Sequence, residues 1–307
     1  MSERAPIRPP RRRPFVRIGW VSEAARRAWE PRFELIRTEW RVLRWHAVAA
    51  GLNRAAMGTL SPEAIDEMAL AVERMGLVMV PVRLAVETAP NVSSSQRRPG
   101  LPIEVTVAVV RGSDRDEFEA DWQRDPERTL LDWAGCPHCC AEATRRRERR
   151  KLDPVWASAM LTRTKAPSRH RRIELPSRPE TNILWRSVGL GIVPHWPCRL
   201  DCQASSALAT DMLALGRAHC AQATEWLLDA LTWPVEWSMM HGIAELHTPV
   251  CRVTTSTSDS NARREIRYHG VTWPDEGASS LRFPYRAPSR ERWTGSKSFR
   301  GGMIPTE

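Results

Sequence analysis

The chain has 307 residues, 42% hydrophobic and 27% charged, with a formal net charge of +10. That length allows a sizeable core, and that composition excludes a wholly disordered chain. No apolar run reaches the roughly 18–20 residues a bilayer span needs, and no apolar segment follows the basic N-terminus as in a signal peptide.

A cytoplasmic location follows as the expectation, and thiols there stay reduced. The seven cysteines are odd in number, which argues against a complete disulfide framework. Clustered thiols in such a setting are read as ligands or redox groups. Charge is uneven along the chain. Residues 1–60 carry 13 Arg against 5 Glu, residues 101–140 carry 9 acidic against 4 basic groups, and residues 141–180 carry 12 basic against 5 acidic groups. These blocks suit contact with nucleic acid or with an acidic protein partner, and equally suit one another.

In chain order, residues 1–20 form a basic arm, Pro- and Arg-rich, with Arg11, Arg12 and Arg13 as phosphate or acidic-partner contacts. Residues 21–125 form an α/β portion. Ser22 caps a helix through Trp29, and Pro31 opens a second one. There Phe33, Ile36, Trp40, Leu43 and Ala47 recur at the helical period. Trp29, Trp40 and Trp45 are assigned to the core in preference to base stacking. Ser61-Pro62-Glu63 starts a helix that Gly76 stops. Leu77–Glu87 and Leu101–Val110 are strands, the second alternating Ile103, Val105, Val107 and Val109 with Glu104, Thr106 and Ala108. They pair as a hairpin. No Gly-rich phosphate loop follows either strand.

Residues 126–275 carry the cysteine clusters, and residues 276–307 are a polar tail. After a short helix closed by Gly135 comes Cys136-Pro137-His138-Cys139-Cys140. Its helix continues through Arg145, Arg146 and Arg147. The stretch 163–179, with Arg171 and Arg172, is a basic loop and a second candidate for phosphate contact. His195-Trp196-Pro197-Cys198-Arg199-Leu200-Asp201-Cys202 then opens another helix. Beyond Pro234 the pattern turns to β, with His241 and His247 on one strand face as an additional ligand pair or an acid and base. The fold class is therefore α+β: a helical cysteine-bearing core, a two-stranded N-terminal hairpin and a small C-terminal antiparallel sheet.

Cys136 and Cys140 are spaced C-x3-C, as are Cys198 and Cys202. On helices each pair shares a face, so two facing helices offer four thiolates. Helix N-termini favour the thiolate form. Zinc accepts four thiolates, and iron–sulfur clusters are held by four cysteines. Prolines beside both clusters and Trp-rich surroundings limit water access, which favours an iron–sulfur cluster, with zinc as the alternative. His195 is a substitute ligand, and Cys139 with Cys136 gives a C-x2-C pairing. Cys220 and Cys251 stand alone and are small hydrophobes. The radical-SAM spacing C-x3-C-x2-C is absent.

The pattern Gly135-x-Pro137-x-Cys139-Cys140, then His195-x-Pro197-Cys198-x3-Cys202, resembles one in poorly characterised prokaryotic proteins, over residues 130–250. That resemblance implies an aromatic where Cys136 stands and favours the set Cys139, Cys140, Cys198 and Cys202. It implies no activity. The functional expectation is a metal- or iron–sulfur-binding protein with a redox or metalloenzyme-accessory role. Its rivals are a nucleic-acid-binding protein with structural zinc, and an assembly subunit gripping an acidic partner.

Overall fold

The computed structural model describes residues 15–86, 102–162, 172–258 and 262–275. Strand β1 (Val16–Trp20) leads into helix α1 (Glu23–Ala49), whose N-cap Ser22 accepts a hydrogen bond from the Ala25 amide. The arm expected over 1–20 thus ends in a strand at residues 16–20, and residues 1–14 lie outside the described part. Helix α1 is also continuous, where two helices meeting at Pro31 were expected. Proline costs a hydrogen bond inside a helix. Here packing on both sides of Pro31 overrides that cost. Trp29 meets Trp233 edge-on at 4.4 Å, and Phe33 meets Trp185 at 5.7 Å.

Strand β2 (Ala55–Leu60), helix α2 (Ile65–Glu73) and strands β3 (Leu77–Val86) and β4 (Pro102–Arg111) follow. The expected β3–β4 hairpin is present, and β2 adds a third antiparallel strand in the order β2-β4-β3. Alternation on β4 serves two cores. Val109 packs with Trp45, Val72 and Leu77 on one face. Ala108 and Val110 pack with Phe118 and Trp133 on the other. Those two aromatics come from helices α3 (Arg115–Arg124) and α4 (Pro126–Trp133).

Helices α5 (His138–Arg149) and α6 (Pro154–Thr162) lead to strand β5 (Arg172–Leu175). Beyond a short 3-10 turn at Leu184–Val188 stand helices α7 (Gln203–His219) and α8 (Ala221–Thr232). The chain then forms strands β6 (Val235–Met240), β7 (Ile243–His247), β8 (Cys251–Ser256) and β9 (Arg264–Tyr268). These four make the expected C-terminal antiparallel sheet. It grows to six strands, in the order β1-β8-β7-β6-β9-β5, with β5 parallel to β9. The fold is α+β. Its largest core joins α1, α7, α8 and this sheet, and Trp29, Trp185 and Trp233 lie buried within it. Trp29, Trp40 and Trp45 are all core residues, as expected. Among the described residues no helix is long and apolar enough to cross a membrane.

Candidate metal centre

The sulfurs of Cys139, Cys140, Cys198 and Cys202 all lie within 4.8 Å of one another. Cys139 and Cys140 sit in the first turn of α5, and Cys202 is the N-cap of α7. The Cys139–Cys140 Sγ separation is 3.8 Å, and each of these two sulfurs is 3.7 Å from Cys202. Cys140 and Cys202 are buried, Cys198 is half-buried and Cys139 is exposed. Four thiol ligands this close can hold a metal ion.

The backbone places them differently from two facing C-x3-C helices. Cys198 lies in the loop before α7, where the Cys202 amide donates to the Arg199 carbonyl. Pro197 and this turn keep the Cys198–Cys202 stretch out of the helix. On α5 it is the neighbouring pair Cys139–Cys140 that faces the loop. Cys136 precedes the N-cap Pro137, and its thiol lies 3.7 Å from the Pro137 carbonyl. It is not one of the four mutually close sulfurs, so its expected place as a ligand is corrected.

His195 is corrected too. Its Nε2 is 2.8 Å from Ser205 Oγ, which in turn is 3.3 Å from Cys140 Sγ. The ring thus reaches the thiols through a hydroxyl. Burial, then the Arg186 and Arg147 charges, push its pKa down to about 3, so the ring is neutral near pH 7.

At Cys140, Cys198 and Cys202 the surroundings set the cost of ionisation. Burial and the negative charge of Cys140 push Cys198 up. Burial raises Cys140 to about 11, although the Ser205 hydroxyl and the Cys198 amide, 3.2 Å from its sulfur, favour the thiolate. At Cys202 burial also pushes upward, but polar groups of Ser205 and the neighbouring thiols outweigh it and bring the pKa to about 7. Thiols this close resist joint ionisation until a metal supplies positive charge. Cys136, raised to about 12 by burial and then by Cys140 and Cys139, stays protonated.

A buried guanidinium, Arg147, flanks the thiols, and a half-buried one, Arg186, holds the backbone at His195. Arg147 is 6% exposed. It donates to Ser158 Oγ (2.9 Å), Thr144 Oγ1 (2.7 Å) and the carbonyls of Trp196 and Pro197 (3.1 Å each). Arg186 donates to the carbonyls of His195 (2.8 Å), Val193 (3.0 Å) and Pro194 (2.6 Å), and stacks on Trp196 at 4.5 Å. Burial, followed by repulsion from Arg44 and Arg147, lowers Arg186 to about 10. Neither group pairs with a carboxylate among the described residues. A tetrathiolate around a divalent ion carries two negative charges, and Arg147, whose charge acts on Cys140 and Cys198, fits beside such a group.

Arg147 was expected as a phosphate contact, and burial removes it from that role. Cys140, Thr144 and Arg147 are spaced i, i+4, i+7 on α5, and all three are buried. That spacing was the signal that could have found Arg147. Ser205 and Arg186 had no comparable signal. Arg145 pairs with Asp132 at 3.8 Å, Arg146 with Glu142, and Arg172 with Glu265 at 2.9 Å. Arg11, Arg12, Arg13 and Arg171 lie outside the described residues. His241 and His247 do not share a strand face. His241 (φ 51°) and Gly242 (φ 76°) form the turn between β6 and β7, while His247 ends β7 beside Glu245 at 3.4 Å. The positive φ pair marks a tight hairpin that breaks the assumed continuous strand. Asp201 binds Arg199, and the cap of α7 is Cys202.

Known protein families, curated proteins and solved structures were each compared with this chain, and none matches.

Proposed function

We propose that the four thiols hold one zinc ion in a closed structural site, and that the protein acts as a metal-stapled binding scaffold. The carrying observation is the sulfur spacing: Cys139, Cys140 and Cys202 are 3.7–3.8 Å apart, and all four sulfurs, Cys198 included, lie within 4.8 Å of one another. Tetrahedral zinc with bonds of about 2.3 Å places its sulfurs about 3.8 Å apart. An iron–sulfur cluster interposes several iron and sulfide atoms, which spreads its outermost cysteine sulfurs to roughly 6 Å. This supports zinc over the cluster favoured by the cysteine pattern. With four protein ligands, the metal keeps no open position for substrate, unlike catalytic zinc.

The staple would tie the first turn of α5 to the loop before α7. Arg147 grips the same loop through the Trp196 and Pro197 carbonyls. A second reading has one observation in its favour. Cys139 is exposed, which would give a single iron on the same sulfurs a route for electrons.

Metal analysis of protein purified without oxygen or added metal tests these readings. One zinc per chain in a colourless protein is the expected result. One iron per chain in a red protein would establish the second reading. Several irons with acid-labile sulfide would overturn both.

A further inference from the structure

Arg37, Arg41 and Arg44 follow one another at i, i+4 and i+7 on α1, which places them on one helix face. With Arg186 they line a cleft of about 170 Å³, closed by Trp40 and by residues 189–194. Among the described residues no Asp or Glu lines it. Among the described residues none of the four arginines forms an ion pair. Most of the other described arginines with a partner face a carboxylate at the surface, so four unmatched guanidinium groups in one concavity need another explanation.

The cleft is built. Arg37 Nη1 donates to the Val188 carbonyl, and Arg186 is held by three carbonyls. Trp40 Nε1 donates to the Ile192 carbonyl, which fixes the opposite wall to α1. Gly189 has φ +80°, and a Cβ there would stand 3.0 Å from Arg37 Cδ. The glycine both permits the turn and leaves room for the arginine stem. Among the described residues Arg41 and Arg44 keep their donors uncommitted, and the buried Arg41 Nε has no partner there. Burial and the neighbouring Arg41 charge hold Arg44 below the usual guanidinium range.

We propose that this cleft binds a phosphate group carried by a small phosphorylated molecule. Guanidinium forks match phosphate oxygens bidentately. Two uncommitted forks plus the remaining donors of Arg37 and Arg186 exceed what a carboxylate's two oxygens accept. Phosphate, with three terminal oxygens, takes them. A second cavity of about 380 Å³ also has Arg44 and Pro194 in its wall, and Leu130, Leu131 and Trp196 give it apolar surface. The organic part of the ligand would lie there. This inference is independent of which metal the thiols hold.

The test is calorimetric titration of the full, metal-loaded chain at constant ionic strength. The probes are inorganic phosphate, glucose 6-phosphate and a single-stranded oligonucleotide lacking a terminal phosphate. Saturable binding of phosphate and tighter binding of the monoester are expected. The double variant Arg41→Gln/Arg44→Gln should weaken both at least tenfold, while Arg252→Gln, on the exposed face of β8, should leave them unchanged. In phosphate-free buffer the double variant should unfold at the same or higher urea concentration, because it removes like charges held together. The proposal is overturned if neither phosphate probe saturates, if Arg252→Gln weakens binding equally, or if only the oligonucleotide binds. A lowered urea midpoint for the double variant would make these arginines structural and overturn it as well.

Discussion

Replacing Arg147 with Met separates packing from charge at the metal centre. Met keeps the apolar stem and removes five donors. Of the four acceptors, the Pro197 carbonyl keeps a bond from Ser158 Oγ at 2.6 Å. The Ser158 hydroxyl still donates to that carbonyl, whereas the Trp196 carbonyl and the buried Thr144 hydroxyl lose their partner. Each such orphan costs about 1–3 kcal/mol, so the expected loss in the metal-free protein is about 2–6 kcal/mol. In the loaded protein the variant also removes a positive charge that offsets the thiolates. Partners just outside a metal's ligands typically change affinity by about 10–100-fold, which adds about 1.4–2.8 kcal/mol. Urea unfolding of loaded and stripped protein gives the two stabilities, and competition with a chromophoric chelator gives zinc affinity. Arg147→Lys should keep most of the affinity while losing the fork that spans the Trp196 and Pro197 carbonyls. If Arg147→Met leaves zinc affinity within about twofold of wild type, the charge-compensation argument is wrong.

Cys136→Ser should retain one metal per chain, while Cys140→Ser should lose it; mass spectrometry under native conditions reads both, and equal loss would restore Cys136 as a ligand. His195 has a folded pKa of about 3, below the unfolded value of about 6.5. The unfolded chain therefore binds the proton first, and stability falls as pH drops from about 6.5 toward 3, by up to about 1.4 kcal/mol per unit. His195→Gln, which can still reach Ser205, should show a shallower decline in urea midpoint between pH 6.5 and 4; parallel curves would refute this. Gly135 has φ 67° with the Asn53 amide pressed against its missing side chain. Gly135→Ala should cost about 1–3 kcal/mol in a thermal melt, and a neutral effect would show that the turn before α5 relaxes freely.

Local pattern made β4 and the α1 stripe readable, because alternation and the helical period are each set by burial on a face. The same rules made β1 and β5 invisible. Each owes its conformation to partners far away in the chain, Val16–Trp20 to Cys251–Thr255 and Arg172–Leu175 to Glu265–Tyr268. Pro31 failed as a helix boundary because aromatic packing outweighed one lost hydrogen bond. At the metal centre, residue type identified the four thiols, but spacing alone misassigned their backbone. C-x3-C reads as one helical face, yet Cys198 and Cys202 bracket a turn. The run Arg145–Arg147 reads in sequence as three phosphate or acidic-partner contacts. Helical phase instead sends Arg147 inward beneath Cys140 and Thr144, and leaves Arg145 and Arg146 outside with Asp132 and Glu142.

The pairing of β1 with β8 has a consequence for synthesis. Thr255 Oγ1 donates to the Phe15 carbonyl across 240 positions. At about 5–20 residues per second, the strand at residue 16 leaves the ribosome roughly 10–50 s before its partner exists. Throughout that interval Val16 and Ile18 present an unmatched β-edge. Completion of the six-stranded sheet is thus a late event in the life of each new chain, and a chaperone holding the nascent N-terminus has that interval in which to act.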